Sequence, residues 1–370
     1  MDMTMHLRPR KVGPLARRCW PVLLCLTLFT GLAATAGAEE RYSIWRDYAQ
    51  RFITAEGRVM DTGNNNFSHT EGQGWAMLFA EAFDDRARFD ALWNWTREHL
   101  DVLDSGLLAW RYEPGETPPV QDLNNASDGD LLIAWALHRA ARKWRAPEYE
   151  RQSRRLRGAI ERHLIRDYAG YSVLLPARRG FEHDGYVVLN LSYWVMPALQ
   201  EFALAEPDGP WRRLLLDGER LLRAARFGAH KLPPDWLSLT EGGELRVADP
   251  WPPRFGFEAV RVPLYAVWAG RSEQAGLEAV SAYWRGAADD RPPAWVNLVD
   301  GDTADYPLSR GGMAVRSLLL GMPGKMPEHI RPEDDYYSAS LLVLSWLAAF
   351  LPEPAVPRAP LQGGKRPRDS

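Results

Sequence analysis

Apolar residues recur at helical spacing along almost the whole chain from residue 41 onward, and this pattern limits the possible folds more than any other feature. Positions 75, 78, 79, 82 and 83 follow i, i+3, i+4, i+7, i+8, and similar stripes run from Ile133 to Trp144 and from Leu342 to Phe350. No sustained strand alternation competes with them. The spacing predicts an all-α domain of about eleven or twelve helices.

The sequence divides into three parts. Residues 1–38 contain basic residues, an apolar run from Trp20 to Ala34 and the small-residue site Ala36-Gly37-Ala38, which predict a cleavable signal peptide and a periplasmic or secreted protein. The paired Arg17-Arg18 leaves the twin-arginine export route open beside the general secretory route. Residues 39–352 predict one globular domain without an internal linker. Residues 353–370, rich in Pro and Gly, predict a disordered tail.

Removal of residues 1–38 changes both the cysteine count and the charge. It takes away Cys19 and Cys25, so we expect no disulfide in the mature protein. It also takes away five basic residues and one acidic residue, which lowers the formal charge from −3 to −7. An acidic chain argues against nucleic acid as a partner. The histidines show no metal-ligand spacing, so we expect neither a metal nor a cofactor.

The first candidate for chemistry is Glu71, in the segment SHTEGQGW at residues 68–75. A structural interpretation competes with a catalytic one, because Ser68 and Glu71 have the spacing of a capping box that only closes a helix start. The positive end of a helix also lowers a carboxyl pKa, whereas a general acid needs it raised. Burial beside Trp75 or a nearby second carboxylate would oppose that effect.

The second candidate is Asp128, in the segment ASDGDLLIAWAL at residues 126–137. Here too a structural role is open, since Ser127 or Asp128 could be an N-cap and Asp130 a favourable charge in the first turn. Calcium is disfavoured because the EF-hand spacing is absent.

Together these segments resemble two landmarks of family 8 glycoside hydrolases, the (S/T)-E-G-Q-G-(Y/W) stretch and the family signature around the aspartate. The segment NLSYW at residues 190–194 and the pair Tyr336-Tyr337 resemble further family motifs. The resemblance covers nearly all of residues 39–352. It implies an (α/α)6 barrel, in which six inner and six outer helices surround a cleft at the N-terminal ends of the inner helices.

The resemblance also implies a mechanism that inverts the anomeric configuration. Glu71 would be the general acid, and Asp128 would bind and distort the sugar beside the scissile bond. Inversion needs a second carboxylate, about 6.5–9.5 Å from the acid, to activate water. Asp128 would help to keep Glu71 protonated.

The sequence departs from the family at the catalytic base. Family endoglucanases carry an aspartate in a (Y/F)-D-A-x-R-x-P segment, and residues 257–263 read FEAVRVP, with Glu258 at that position. An extra methylene can move a carboxylate by about 1 Å, enough to lower a rate by ~10²-fold. Glu258 is the preferred base; Glu241, Glu244 and Asp249 are alternatives, because chitosan-cleaving members carry a glutamate base in another loop.

Further residues are candidates for binding the polysaccharide. Arg261 would pair with a carboxylate in the cleft or bind a sugar hydroxyl, or would form a structural ion pair. The tyrosine pair belongs to a matched motif. The predicted sugar-binding set is Trp75, Trp110, Tyr193, Trp251, Arg261, Tyr336 and Tyr337. For Trp75 a role in the core alone is also open.

The resulting hypothesis is an exported endo-β-1,4-glucanase, similar to the periplasmic cellulases that accompany bacterial cellulose synthesis, with a β-1,4-glucan as its partner and a possible loose association with the synthase machinery. A chitosanase or another β-1,4-glycanase is the second hypothesis, because an acidic surface suits a cationic polymer. The third is a glycan-binding protein that lost its activity when aspartate became glutamate. A lyase acting by elimination is a weaker alternative.

Overall fold

The computed structural model describes residues 43–287 and 290–350, and the predicted signal peptide and Pro-rich tail lie outside these ranges. Helix α1 covers residues 43–52. The later helices in the described ranges are α2 (Thr70–Ala82), α3 (Arg86–His99), α4 (Ser127–Lys143), α5 (Pro147–Leu164), α6 (Met196–Ala205), α7 (Trp211–Ala224), α8 (Arg261–Trp268), α9 (Ser272–Ala275), α10 (Glu278–Arg285), α11 (Arg310–Leu319) and α12 (Tyr336–Phe350).

The helices pack as a closed ring with partners outside it. Helix α2 contacts α4, α4 contacts α6, α6 contacts α8, and α8 contacts α11 and α12, which returns to α2. Helices α3, α5 and α7 pack outside α2, α4 and α6 respectively. Ring helices α2, α4 and α12 are buried around most of their circumference, as expected for helices covered on both sides. None of the helices in the described part of the chain is long and apolar enough to cross a membrane.

Short antiparallel strands occupy the long connections between helices, and the sequence pattern did not predict them. Each has two to four residues, too few to show alternation. The strands are β1 (Ser68–His69), β2 (Arg111–Tyr112), β3 (Ile165–Tyr168), β4 (Tyr171–Leu174), β5 (Glu182–His183), β6 (Tyr186–Leu189), β7 (Leu237–Thr240), β8 (Leu245–Val247), β9 (Arg254–Phe255) and β10 (Val296–Asn297). Strands β5 to β8 form one sheet in that order; β1 pairs with β2, β3 with β4, and β9 with β10.

Glycines allow α2 and α4 to approach closely at their N-terminal turns. A Cβ atom on Gly129 would lie 2.5 Å from Thr70 Cβ and 2.7 Å from Glu71 N, and one on Gly74 would lie 2.5 Å from Leu132 Cβ. Atoms cannot approach this closely, so the spacing of the two helices depends on these glycines. The first turns of α2 and α4 are therefore held side by side.

Candidate active site

The N-terminal turn of α2 presents Glu71 to the inside of the ring. The cap of this helix is His69, whose Nδ1 accepts from Gly72 N at 3.2 Å. Ser68 instead accepts from Arg58 at 3.1 Å. The capping-box interpretation of Ser68 and Glu71 is therefore wrong, and the Glu71 side chain, 15% exposed, serves another purpose.

The first turn of α4 places Asp128 beside Glu71. The N-cap is Ala126, without a side-chain hydrogen bond, so neither Ser127 nor Asp128 is the N-cap. Asp128 Oδ1 accepts from Gly129 N at 2.8 Å, and its side chain is 5% exposed. Burial raises the pKa of Asp128 to about 7, against the opposing effect of that hydrogen bond.

Arg261, in the first turn of α8, connects the three predicted acids. Its Nη1 contacts Glu71 Oε1 and lies 3.7 Å from Asp128 Oδ2, while Nη2 contacts Glu258 Oε2. Nη2 also donates to Ser192 Oγ at 3.0 Å. One buried guanidinium thus holds together carboxylates that are up to 187 positions apart in the chain. A single cation shared by three acids offsets part of their mutual repulsion.

Glu258 lies in the turn that precedes α8. Its Oε2 accepts from Asn190 Nδ2 at 3.0 Å, and its side chain is 30% exposed. Burial and the charges of Asp235 and Asp128 raise the pKa of Glu258 to about 8. The contact with Arg261 favours the charged form and opposes this rise. A carboxylate with a raised pKa is a stronger base once it is ionised, and the contact with Arg261 favours that ionised form.

The alternative acids lie on exposed segments of the four-stranded sheet or just after it. Glu244 pairs with Arg246, and Glu241 follows β7, where its backbone N–H donates to Gly185 O at 3.0 Å. Asp249 is also exposed, just beyond β8. The contacts of Arg261 favour Glu258 over these three as partner of Glu71.

Two of the predicted sugar platforms have rings that are part of the core. Trp75 is fully buried and donates from its indole to Tyr265 OH at 3.0 Å. Tyr336 is 1% exposed and stacks near Trp75, with ring centroids 6.3 Å apart. Neither ring can present a face to a sugar. Trp75 supports the site directly, since the Arg261 guanidinium lies 5.9 Å from its ring, and Tyr336 packs against Trp75.

The other predicted aromatic residues are partly exposed and lie near the acids. Trp110 O accepts from Thr70 N at 3.0 Å, beside Glu71, and the Tyr337 hydroxyl donates to Phe257 O, beside Glu258. The ring of Tyr193 lies 5.7 Å from the Arg261 guanidinium. The partly exposed candidates are Trp110, Tyr193, Trp251 and Tyr337.

A stack of aromatic rings leads away from Tyr193, and two of its members were missed by sequence reasoning. Trp236 contacts Tyr193 edge-on and stacks on Trp251 with centroids 4.7 Å apart; Phe181 stacks on both tryptophans. The signal for Trp236 was weak, since it lies in a loop outside the matched motifs. Its neighbour Asp235 was missed for the same reason.

Neither cavities nor metal ligands point to a competing catalytic centre. Among residues 43–287 and 290–350, no group of three or more His, Cys, Asp or Glu side chains could hold a metal ion. A cavity of about 240 Å³ lies behind the Glu258 turn, lined by Phe257, Val260 and Tyr337 among others. A larger open cleft of about 880 Å³, between α10 and the 291–307 segment, has none of the three acids in its lining.

Comparison with known proteins gives one consistent result. The model of the glycosyl hydrolases family 8 matches residues 12–349. A probable endoglucanase of Novacetimonas hansenii is 39% identical over 321 residues, which is 86% of this chain and 94% of that protein.

Solved structures agree with this match. A family 8 endoglucanase of Klebsiella pneumoniae is 42% identical, covers 83% of this chain and 98% of its own, and has a TM-score of 0.79. An endo-β-1,4-glucanase of Acetobacter xylinum is 39% identical, covers 82% and 96%, and also has a TM-score of 0.79. These similarities confirm the predicted all-α (α/α)6 barrel.

Proposed function

The chain belongs to family 8 of the glycosyl hydrolases, and from this premise we propose that it hydrolyses internal β-1,4-glucosidic bonds of a glucan with inversion of configuration. The observation that carries the proposal is the cluster of Glu71, Asp128 and Glu258 around Arg261 at the helix N-termini. Two carboxyl groups are the minimum for glycoside hydrolysis. Relatives named endoglucanase, about two-fifths identical over most of the chain, support the reaction class.

In this proposal Glu71 protonates the glycosidic oxygen. Its position at the start of α2 favours the charged form, as does its contact with Arg261. A sugar entering the site would displace the guanidinium from Glu71 and exclude water, and both changes favour the protonated form. The buried Asp128, which shares the same guanidinium nitrogen, would add to this effect once ionised.

Glu258 acts as the base that activates water on the opposite face of the sugar. Its raised pKa and its partial exposure support this role. The longer side chain reaches Arg261 and Asn190 from a turn rather than from a helix. Inversion requires room for both sugar and water between the two carboxyl groups, so the shared contact with Arg261 must open when substrate binds.

Asp128 and Arg261 then bind the sugar beside the scissile bond. A carboxyl with a pKa of about 7 can accept from or donate to a sugar hydroxyl near neutral pH. Arg261, released from Glu71, offers free N–H donors to the same ring. Hydrogen bonds that strengthen as the ring distorts would contribute to the rate.

The partly exposed aromatic rings form the binding platforms for neighbouring sugars. Trp251, Trp236 and Phe181 lie nearly parallel, at 11° to 20° to one another, and Tyr193 connects them to Arg261. Flat aromatic surfaces suit the C–H faces of glucose rings. On this basis the glucan runs from the acids along the sheet side of the cleft.

A substrate panel and a product assay test this proposal. We expect release of reducing ends from carboxymethylcellulose and lichenan, with little from xylan or chitosan, and NMR of fresh products should show the α-anomer first. Release from chitosan alone would establish the chitosanase hypothesis instead. Binding of cello-oligosaccharides without turnover, together with turnover in Glu258→Asp, would establish the glycan-binding hypothesis. Net retention of configuration would contradict the inverting mechanism.

We also propose export to the periplasm or the medium and a role beside cellulose synthesis. The basic and apolar pattern of residues 1–38 supports export. The resemblance to the cellulases that accompany cellulose synthesis supports the second part. N-terminal sequencing of the exported protein should begin at Glu39, and deletion of the gene in a cellulose-producing host should change cellulose yield. An intact N-terminus or an unchanged yield would contradict the corresponding part.

A further inference from the structure

One buried aspartate, Asp235, holds the turn that carries Glu258. The proposed reaction does not use this aspartate. Asp235 is 3% exposed and precedes β7. Its Oδ1 accepts from the backbone N–H groups of Gly256 and Ala259, both at 2.9 Å. Its Oδ2 accepts from Arg254 Nε at 3.1 Å.

The partners of the Asp235 side chain lie on both sides of Glu258 in the sequence, at positions 254, 256 and 259. The backbone of Asp235 adds a fourth bond, from its N–H to Arg254 O at 2.7 Å. Burial raises the pKa of Asp235, but every partner of its side chain is a donor and Arg254 forms an ion pair with it, and both features favour the ionised carboxylate. Since each N–H to a carboxylate is a strong hydrogen bond, these contacts restrain the turn to small shifts.

We propose that Asp235 is a positioning residue that fixes the Glu258 carboxylate for catalysis through the 254–259 turn, and that its negative charge makes Glu258 a stronger base. The inference rests on the proposed role of Glu258. Asp235 acts through the backbone of Gly256 and Ala259 and through the electric field at Glu258, rather than on the sugar itself.

The electrostatic part requires that other charges near Glu258 stay constant. Besides Asp235, the groups that face it are Asp128, Arg254, Arg261 and the hydroxyls of Tyr193, Tyr265 and Tyr337. Removing the charge of Asp235 alone should lower the pKa of Glu258, because a like charge nearby disfavours ionisation.

Two substitutions separate the positioning role of Asp235 from its electrostatic role. Asp235→Ala removes the backbone anchors, and we expect kcat to fall ~10²-fold with KM changed only severalfold, as for a catalytic group displaced by about 1 Å. Asp235→Asn can keep both bonds at Oδ1 and loses the charge. We expect kcat to fall by about 10-fold or less, with the acidic limb of the kcat–pH profile moved to lower pH.

Asp217 provides the matched control. It is also buried, accepts from Ser172 N at 2.8 Å and pairs with Arg220, but it lies on the outer helix α7. Asp217→Asn and Asp217→Ala should lower the melting temperature and leave kcat and the pH profile unchanged. If Asp235→Ala does not fold, Asp235→Asn carries the test alone.

Glu258→Gln distinguishes failure of this inference from failure of the proposed base. If Glu258→Gln is inactive while the Asp235 variants match wild type, or resemble the Asp217 variants, the positioning role is wrong. An unshifted acidic limb in Asp235→Asn would remove the electrostatic role. If Glu258→Gln keeps full activity, the base assignment itself is wrong.

Discussion

The two halves of the proposed catalytic pair are held in different ways. Glu71, the proposed acid, lies in the first turn of a helix whose neighbour approaches so closely that Gly129 has no space for a side chain. Glu258, the proposed base, lies in a turn held by the carboxylate of Asp235, with a cavity of about 240 Å³ behind it. The acid side is fixed by packing, and the base side by hydrogen bonds.

This difference explains where the chain tolerates a departure from the family pattern. A longer side chain on α2 would have to fit between close-packed helices, which resist added volume. A turn with space behind it can shift by part of an ångström and still place its carboxylate in the site. The glutamate at position 258 occurs on the side that can adjust.

The largest expected effect comes from removing the acid. Glu71→Gln keeps the shape of the side chain and cannot donate the proton, so kcat on carboxymethylcellulose should fall about 10²–10⁴-fold. The loss should be much smaller on an aryl cellobioside with a strongly acidic leaving group, because that group departs without protonation. Steady-state kinetics on both substrates make the comparison. An equal loss on both would contradict the role of Glu71 as acid.

Shortening each carboxylate by one methylene compares the two sides directly. Glu71→Asp on the rigid helix should lower kcat ~10²-fold. Glu258→Asp should cost less, about 10-fold, because the turn has room to follow the shorter side chain. Measurements of kcat at saturating substrate give the loss for each variant. A larger loss for Glu258→Asp than for Glu71→Asp would show that the base side is the rigid one.

Much of this site was predictable from sequence, because the acids lie in segments whose composition also specifies helix starts. Glu71, Asp128 and Arg261 occupy the first turns of α2, α4 and α8, so the closed ring brings them together. The roles of Trp75 and Tyr336 were not predictable, since buried and exposed aromatic residues at a helix start have the same spacing. Asp235 was missed because it lies outside the matched motifs, and its contacts with the backbone N–H groups of Gly256 and Ala259 leave no pattern in the sequence.

Adding a methyl group at a glycine tests the packing on each side. In Gly129→Ala the new Cβ would meet the backbone of Glu71, so we expect a loss of stability of about 1–3 kcal/mol and a lower kcat. In Gly256→Ala it would lie 3.0 Å from Trp295 Cβ and 3.2 Å from Asp235 Oδ2, and the turn can yield, so the loss should be about 1 kcal/mol or less. Urea denaturation gives both values. Equal losses of stability in the two variants would show that the acid side and the base side are packed equally tightly.

The last comparison concerns the pH dependence of stability. Burial raises the pKa of Asp128 to about 7 from 3.8, so the folded state holds a proton that the unfolded state releases. The stability from this proton is complete below about pH 4 and is lost as pH rises through 7. Asp128→Asn removes the contribution of this group, while Asp130 and Glu258, whose pKa values are also raised, still contribute. Between pH 4.5 and 8 the variant should lose about 2 kcal/mol less stability than wild type, a value reduced for the opposing charge of Arg261.

Glu258→Gln is the counterpart on the base side. Its pKa is raised to about 8, but its side chain is 30% exposed against 5% for Asp128, and it contacts Arg261 directly. Solvent screening and that contact reduce the cost of ionising Glu258 in the folded state. We therefore expect Glu258→Gln to flatten the pH dependence of unfolding less than Asp128→Asn does. Urea denaturation of both variants across this pH range measures the difference, and a greater flattening by Glu258→Gln would show that the base, rather than Asp128, carries the larger cost of buried charge.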